Sequence, residues 1–286
     1  MKVFTVDLYK EFNIDRPEGA KGYLTCYLKE TCNSIGDSRL FPSILVIAGG
    51  AYTNVSKRET EPVALKFIAE NYNAFVLEYS CAPFKFPTAF IEASMATCYI
   101  RKNALTLSVN ENCLATIGFS AGGHLNGCLS NLFDSPLLDF LGQDKILVKP
   151  NASLYLYPVV TAYEEKGSHV SSFEMLCGDN EELKKQLSIE NCVTKNSPPA
   201  FIAGTCEDSC VPVSNALLLA SAYQKNGVPF ALHIFEKGPH GGSIGTKAVY
   251  SEQDYTVMQK RFSTDFKLWP SLALNWLKDL GFECKN

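Results

Sequence analysis

Apolar and polar residues alternate along Lys2 to Tyr9 and again along Tyr23 to Leu28, with the turn-rich Asp15-Arg16-Pro17-Glu18-Gly19 between them. That pattern predicts two antiparallel strands at a half-exposed sheet edge. Ile44 to Ala48 is instead continuously apolar, and Ala74 to Tyr79, Cys113 to Phe119, Asn151 to Pro158 and Ala200 to Gly204 follow as further strands. Such runs fit parallel strands covered on both faces. Phe230 to Phe235 makes the eighth strand. Helical stretches intervene from Pro62 to Glu70, Phe90 to Ala104, Ala121 to about Leu132, and Pro212 to Lys225, where Asn226-Gly227 stops the last of these. Ser271 to Leu280 predicts a terminal helix packed through Leu272, Trp276, Leu277 and Leu280. Strands alternating with helices imply an α/β three-layer sandwich, mostly parallel with an antiparallel N-terminal edge, whose C-terminal strand ends gather the functional groups. Residues 161–198 are less regular, with a helix-prone Glu181 to Leu187, and are the candidate for a small cap insertion in one domain spanning 1–286. Ser243 to Lys267 carries no clear period.

Composition narrows the function classes. With 46% apolar residues in 286, the chain can bury one large core. A net charge of −4 without basic clusters argues against nucleic acid or an anionic membrane as partner and leaves small neutral substrates open. Asp7 interrupts what a signal peptide would need as an apolar run, and no later stretch approaches about 18 apolar residues, so a soluble cytoplasmic protein is expected. Eleven cysteines without paired short spacings suit buried thiols in a reducing compartment. Cys206 and Cys210 lack a second cysteine pair at ligand spacing, so no metal is expected.

The chemistry centres on Gly118-Phe119-Ser120-Ala121-Gly122. An apolar strand runs into a serine between glycines and then into a helix, the G-x-S-x-G nucleophile elbow, in which a Cβ at 118 or 122 would strike neighbouring backbone. A serine hydroxyl is a weak nucleophile at neutral pH and requires a base, itself oriented by an acid. Of the four histidines, His124 is tethered on the serine's own helix, His169 lies in the irregular segment without a supporting motif, and His233 sits inside a strand. His240, set among Gly238, Gly241 and Gly242 after the last strand, is the candidate base. Asp208 follows a strand and precedes His240, in the order this type of sheet imposes, and Glu207 competes for the same role. Developing negative charge needs donors, which Gly49-Gly50-Ala51 after a buried strand and the N–H of Ala121 can supply; Gly50, Ala51 and Ala121 are the candidate oxyanion hole.

Taken together, Ala48-Gly49-Gly50-Ala51-Tyr52, Tyr79 with Ala82-Pro83 and Phe86-Pro87, Gly118 to His124, Tyr157-Pro158-Val159, Ser197-Pro198-Pro199, Asp208 with Val211-Pro212, and Lys237 to Gly241 resemble the acetyl esterase and xylan-esterase-like branch of the α/β-hydrolase superfamily, also grouped with feruloyl-esterase-like proteins. The resemblance covers nearly the full length. It implies hydrolysis of carboxylic esters through Ser120, Asp208 and His240, on short acyl groups carried by sugar-like alcohols, without a cofactor. Ala51 replaces a frequent third glycine, and Ser80 replaces an arginine often found after the tyrosine. Tyr52, Phe84 and Phe86 are expected to crowd the pocket mouth and limit acyl length. A serine peptidase on the same fold and a non-catalytic binding protein remain as alternatives; the natural alcohol and the oligomeric state are not readable.

Overall fold

The computed structural model describes residues 1–30 and 39–285. Its eight strands are β1 (Lys2–Asp7), β2 (Tyr23–Leu28), β3 (Phe41–Ile47), β4 (Asn73–Glu78), β5 (Val109–Phe119), β6 (Ala152–Leu156), β7 (Ala200–Thr205) and β8 (Phe230–Phe235). They form one sheet in the order β1-β2-β4-β3-β5-β6-β7-β8. β2 pairs antiparallel with both β1 and β4, and every other pairing is parallel. This is the α/β-hydrolase architecture expected from the sequence. The helices are α1 (Leu8–Glu11), α2 (Glu61–Ile68), α3 (Thr88–Lys102), α4 (Ala121–Asn131), α5 (Val170–Cys177), α6 (Glu181–Gln186), α7 (Ile189–Cys192), α8 (Ser214–Lys225), α9 (Glu252–Arg261) and α10 (Trp269–Asp279).

The central strands are apolar throughout because each face of the sheet is covered. Leu45 and Ile47 of β3 join a core with Phe90 of α3, Leu125 of α4 and Leu219 of α8. Ile44 and Val46, one residue out of phase, join a second core with Phe67 of α2 and Leu277 of α10. Each such side chain contributes about 1.5–3 kcal/mol when removed from water. Among the described residues, no helix is long and apolar enough to cross a membrane.

The structure departs from the expected pattern at the first strand. Leu8 and Tyr9 leave β1 for α1, because the Asp7 side chain accepts the Lys10 N–H at 3.1 Å and caps a turn that takes both residues into the core. β5 starts earlier than expected, at Val109, which pairs with Phe41 of β3; the polar Asn110-Glu111-Asn112 sit in an irregularity before pairing resumes between Ser43 and Leu114. Within 161–198 lie three short helices, α5 to α7, and the unreadable 243–267 contains α9 and a 3₁₀ turn over Thr264–Leu268.

Candidate active site

β5 lies between β3 and β6, so the residue after it emerges at the middle of the sheet's C-terminal edge. That residue is Ser120, held at φ 52° and ψ −124° between strand and helix. L-residues avoid such a conformation, and it persists because the surroundings over-determine it. The Ser120 N–H donates to Leu156 O at 3.0 Å, and Ser120 O accepts from Gly123 N at 2.9 Å. A Cβ on Gly118 would lie 2.3 Å from Gly122 O, and one on Gly122 would lie 2.3 Å from the carbonyl oxygens of Ile47 and Ala48. Only glycine lets α4 start this close to β3 and β5.

His240 reaches this serine from the loop after β8, with Nε2 2.7 Å from Ser120 Oγ and Nδ1 2.7 Å from Asp208 Oδ2. A carboxylate at Nδ1 fixes the proton there and leaves the Nε2 lone pair facing the serine hydroxyl. Asp208 is 5% exposed, and its other oxygen accepts from the N–H groups of Cys210 and Val211, both at 2.9 Å. The turn into α8 therefore orients the acid. Glu207 is exposed, so of the two adjacent acids Asp208 is the one brought to the imidazole.

The loop after β3 runs through positive φ at Gly50 (128°), Ala51 (54°) and Tyr52 (57°). Ala51 thus adopts the left-handed conformation that a glycine would take without strain, at a cost of about 1–2 kcal/mol. The Gly49 N–H is committed to Glu59 Oε2 at 2.8 Å. Gly50 and Ala51 line the cleft beside Ser120, and no protein acceptor takes their N–H groups among the described residues. The N–H of Ala121, first residue of α4, likewise has no partner within its helix.

Three further residues of the site have no role in it predicted from the sequence. Glu59, in the polar run Ser56-Lys57-Arg58-Glu59, is 3% exposed and lines the cleft. Besides the Gly49 N–H it accepts the Tyr157 hydroxyl at 2.8 Å, and Tyr157 in turn accepts the Ser243 N–H at 2.8 Å. Burial pushes the Glu59 carboxyl up from its usual range, while the two hydrogen bonds and the nearby His240 and Arg58 pull the other way. The Tyr157 ring packs edge-on against His240 with centroids 5.0 Å apart. The third residue, His169, comes from the turn before α5. Its Nδ1 lies 2.8 Å from Ser172 Oγ and its Nε2 3.4 Å from Cys210 Sγ. Burial first, then His240, lowers its affinity for a proton.

His124 does not approach the serine hydroxyl. It is buried, with Nε2 2.8 Å from Leu187 O and Nδ1 2.8 Å from Tyr52 Oη. A carbonyl can only accept, so Nε2 carries the proton and the tyrosine hydroxyl donates to Nδ1. Burial holds its pKa down at about 4. His233 stacks on Phe201 at 4.8 Å between centroids.

The cleft over Ser120 has a volume of about 460 Å³, and its lining includes the side chains of Thr53, Asn54, Ser56, Arg58, His169 and Cys210. The expectation that Tyr52, Phe84 and Phe86 form its mouth is corrected here, since none of them lines it. Positive φ at residues 51 and 52 turns the Tyr52 ring inward to His124. Phe86 stacks on Phe90 with centroids 5.7 Å apart, and Phe84 lines a separate depression. Ser80, which stands in place of an arginine often found after the tyrosine in the resembled family, donates to the buried carboxylate of Glu92 through both its N–H and its hydroxyl.

A hydroxyl, an oriented imidazole and free N–H donors around one point are what acyl transfer requires. The chain is 36% identical over 216 residues to endo-1,4-beta-xylanase B of Butyrivibrio fibrisolvens, covering 73% of this chain and 33% of that protein. It is 29% identical over 253 residues to an acetylxylan esterase of Xylanibacter ruminicola, covering 85% and 48%. The chain therefore spans about a third to a half of the length of these relatives. The crystal structure of an acetyl ester-xyloside bifunctional hydrolase from Caldicellulosiruptor lactoaceticus superposes with a TM-score of 0.82 at 32% identity, covering 98% of this chain and 97% of that one. Residues 32–223 match the BD-FAE family model, and with two thirds of its length so matched the chain belongs to the BD-FAE family, on the esterase-like branch of the α/β-hydrolases.

Proposed function

We propose that the protein is a serine carboxylic ester hydrolase acting on short acyl esters, acetate foremost, of sugar-like alcohols. The observation that carries this reading is the alignment of Ser120 Oγ, His240 and Asp208 through two 2.7 Å contacts at the elbow. Ser120 Oγ attacks the ester carbonyl carbon while its proton passes to His240 Nε2. The carbonyl oxygen becomes an oxyanion facing the N–H groups of Gly50 or Ala51 and of Ala121. Asp208 stabilises the imidazolium. Collapse of the tetrahedral species breaks the bond to the alcohol oxygen, which takes the proton from His240 and leaves an acyl-Ser120. Water then gives its proton to His240, attacks the acyl carbon and releases the acid, and Ser120 recovers its proton. No step calls for a cofactor. Thr53, Asn54, Ser56 and Arg58 in the lining offer hydrogen bonds to a hydroxyl-rich alcohol, and the names of the relatives favour an acetylated sugar.

The experiment is hydrolysis of 4-nitrophenyl acetate and of acetylated xylose, with a peptide amide as control, combined with fluorophosphonate labelling mapped by mass spectrometry. Label on Ser120 and a fall of about 10⁴ to 10⁶-fold in turnover for Ser120→Ala are expected. Label at another residue with Ser120 untouched refutes the assignment.

A further inference from the structure

Exposed cations line the cleft and the depression beside it, although the chain as a whole is acidic. The protein as a whole carries −4. Arg58 lines the cleft over Ser120, exposed, with its guanidinium over the Tyr250 ring at 5.6 Å from the centroid. The Tyr250 hydroxyl donates to Gly241 O at 3.2 Å, and the Ser243 hydroxyl donates to Arg58 O at 2.6 Å. Arg58 is thereby fastened to the loop that carries His240. The acid lining this cleft, Glu59, has both oxygens occupied by Gly49 and Tyr157. Beyond Thr53 and Asn54, which line both, lies a second depression of about 380 Å³, bordered by Lys21 and Lys57 against the single carboxylate of Glu78. None of Arg58, Lys57 and Lys21 pairs its side chain with a protein carboxylate among the described residues. One exposed cation thus lines the cleft over the serine, and two more line the depression beside it, in an acidic protein. Charge of one sign lining a cleft attracts ligands of the other.

We propose that the alcohol portion of the substrate carries a carboxylate, as an acidic sugar does, and that Arg58 binds it. The inference rests on the ester-hydrolase reading and names the substrate class for that site. A planar guanidinium held by an aromatic face presents two parallel donors to a carboxylate, which a lysine cannot do. The depression at Lys21 and Lys57 extends the same positive lining to a longer anionic alcohol.

The test uses the acetate esters of 3- and 4-hydroxybenzoic acid, each against its own methyl carboxylate ester, with rates corrected for hydroxide-catalysed hydrolysis. At low ionic strength the acid form of at least one pair is expected to exceed its neutral partner in kcat/KM by about tenfold. That excess should shrink several-fold in about 0.5 M salt and vanish in Arg58→Gln, while Arg58→Lys keeps part of it. The salt titration on the unaltered protein stands even if Arg58→Gln folds poorly. Equal or faster hydrolysis of the neutral esters, or an excess that survives in Arg58→Gln, overturns the proposal and leaves the ester-hydrolase reading intact. Hydrolysis of neither member of either pair overturns both.

Discussion

Replacing Glu59 with glutamine tests whether the buried network beneath the oxyanion loop governs catalysis. Both partners of the carboxylate are donors, the Gly49 N–H and the Tyr157 hydroxyl, each at 2.8 Å. An amide offers one acceptor oxygen. Gly49 N–H can only donate, so that oxygen must face it, and the amide NH₂ must then face Tyr157. The phenol oxygen already accepts the Ser243 N–H, and its own proton is left without an acceptor. Losing a buried hydrogen bond to a charged group amounts to about 1.5–3 kcal/mol. Carried into the position of the loop and the stabilisation of the imidazolium, it corresponds to about a 10- to 150-fold lower kcat. Stability should change much less, because removing the buried charge also removes its desolvation cost. Steady-state kinetics on 4-nitrophenyl acetate, with thermal melts on the same samples, read both quantities. The pH profile adds an independent signature. Burial raises the Glu59 carboxyl, so the folded protein takes up this proton at a higher pH than the unfolded chain does. The stability term from this group accordingly grows as pH falls through the folded value and levels off below the unfolded one. Activity should show an additional acid-side ionisation that disappears in Glu59→Gln. A variant with kcat within about twofold of the parent and an unchanged acid limb would refute the reasoning and reduce the network to packing.

Asp208→Asn should lower turnover by about 10⁴-fold with substrate binding preserved, whereas Glu207→Gln should be nearly silent; kcat measured separately from KM decides between them, and the reverse ranking would move the acid by one residue. His124, held near pKa 4 by burial, predicts a loss of stability as pH falls from about 6.5 towards 4, since the unfolded chain then binds the proton more readily. The size is about 3 kcal/mol, read as the difference in urea midpoints between the protein and His124→Gln at pH 7 and pH 4.5; parallel curves for the two would count against a buried neutral imidazole.

The convergence of Ser120, Asp208 and His240 is readable because each follows a strand and sits at a break in the pattern: a glycine pair, a strand end before a proline, a run of glycines. Strand ends share one edge of a parallel sheet, so chain order alone brings these residues close. Glu59 and Tyr157 are not readable in the same way, for they meet across 98 residues and Glu59 lies in a run of charges that reads as solvated surface. His169 is hidden for a related reason, since only the packing of the segment before α5 brings it to Cys210. Tyr52 shows the limit from the other side. Its position beside the oxyanion loop is evident, but the direction of its ring depends on two left-handed residues that no hydrophobic pattern announces.

The sheet order has a consequence for how the protein comes to be active. Ser120 stands at the end of β5, while the base and acid proposed for it, His240 and Asp208, follow β8 and β7, which join the sheet only through β6. Serine and imidazole are 120 positions apart in the chain, and all of that length must be traversed before the two can meet. A chain folded through its N-terminal half, or one released before β8 has docked, would hold the elbow without a base. Its serine would then be no more reactive than any other hydroxyl, and the proposed ester hydrolysis would become a report that the far side of the sheet has closed.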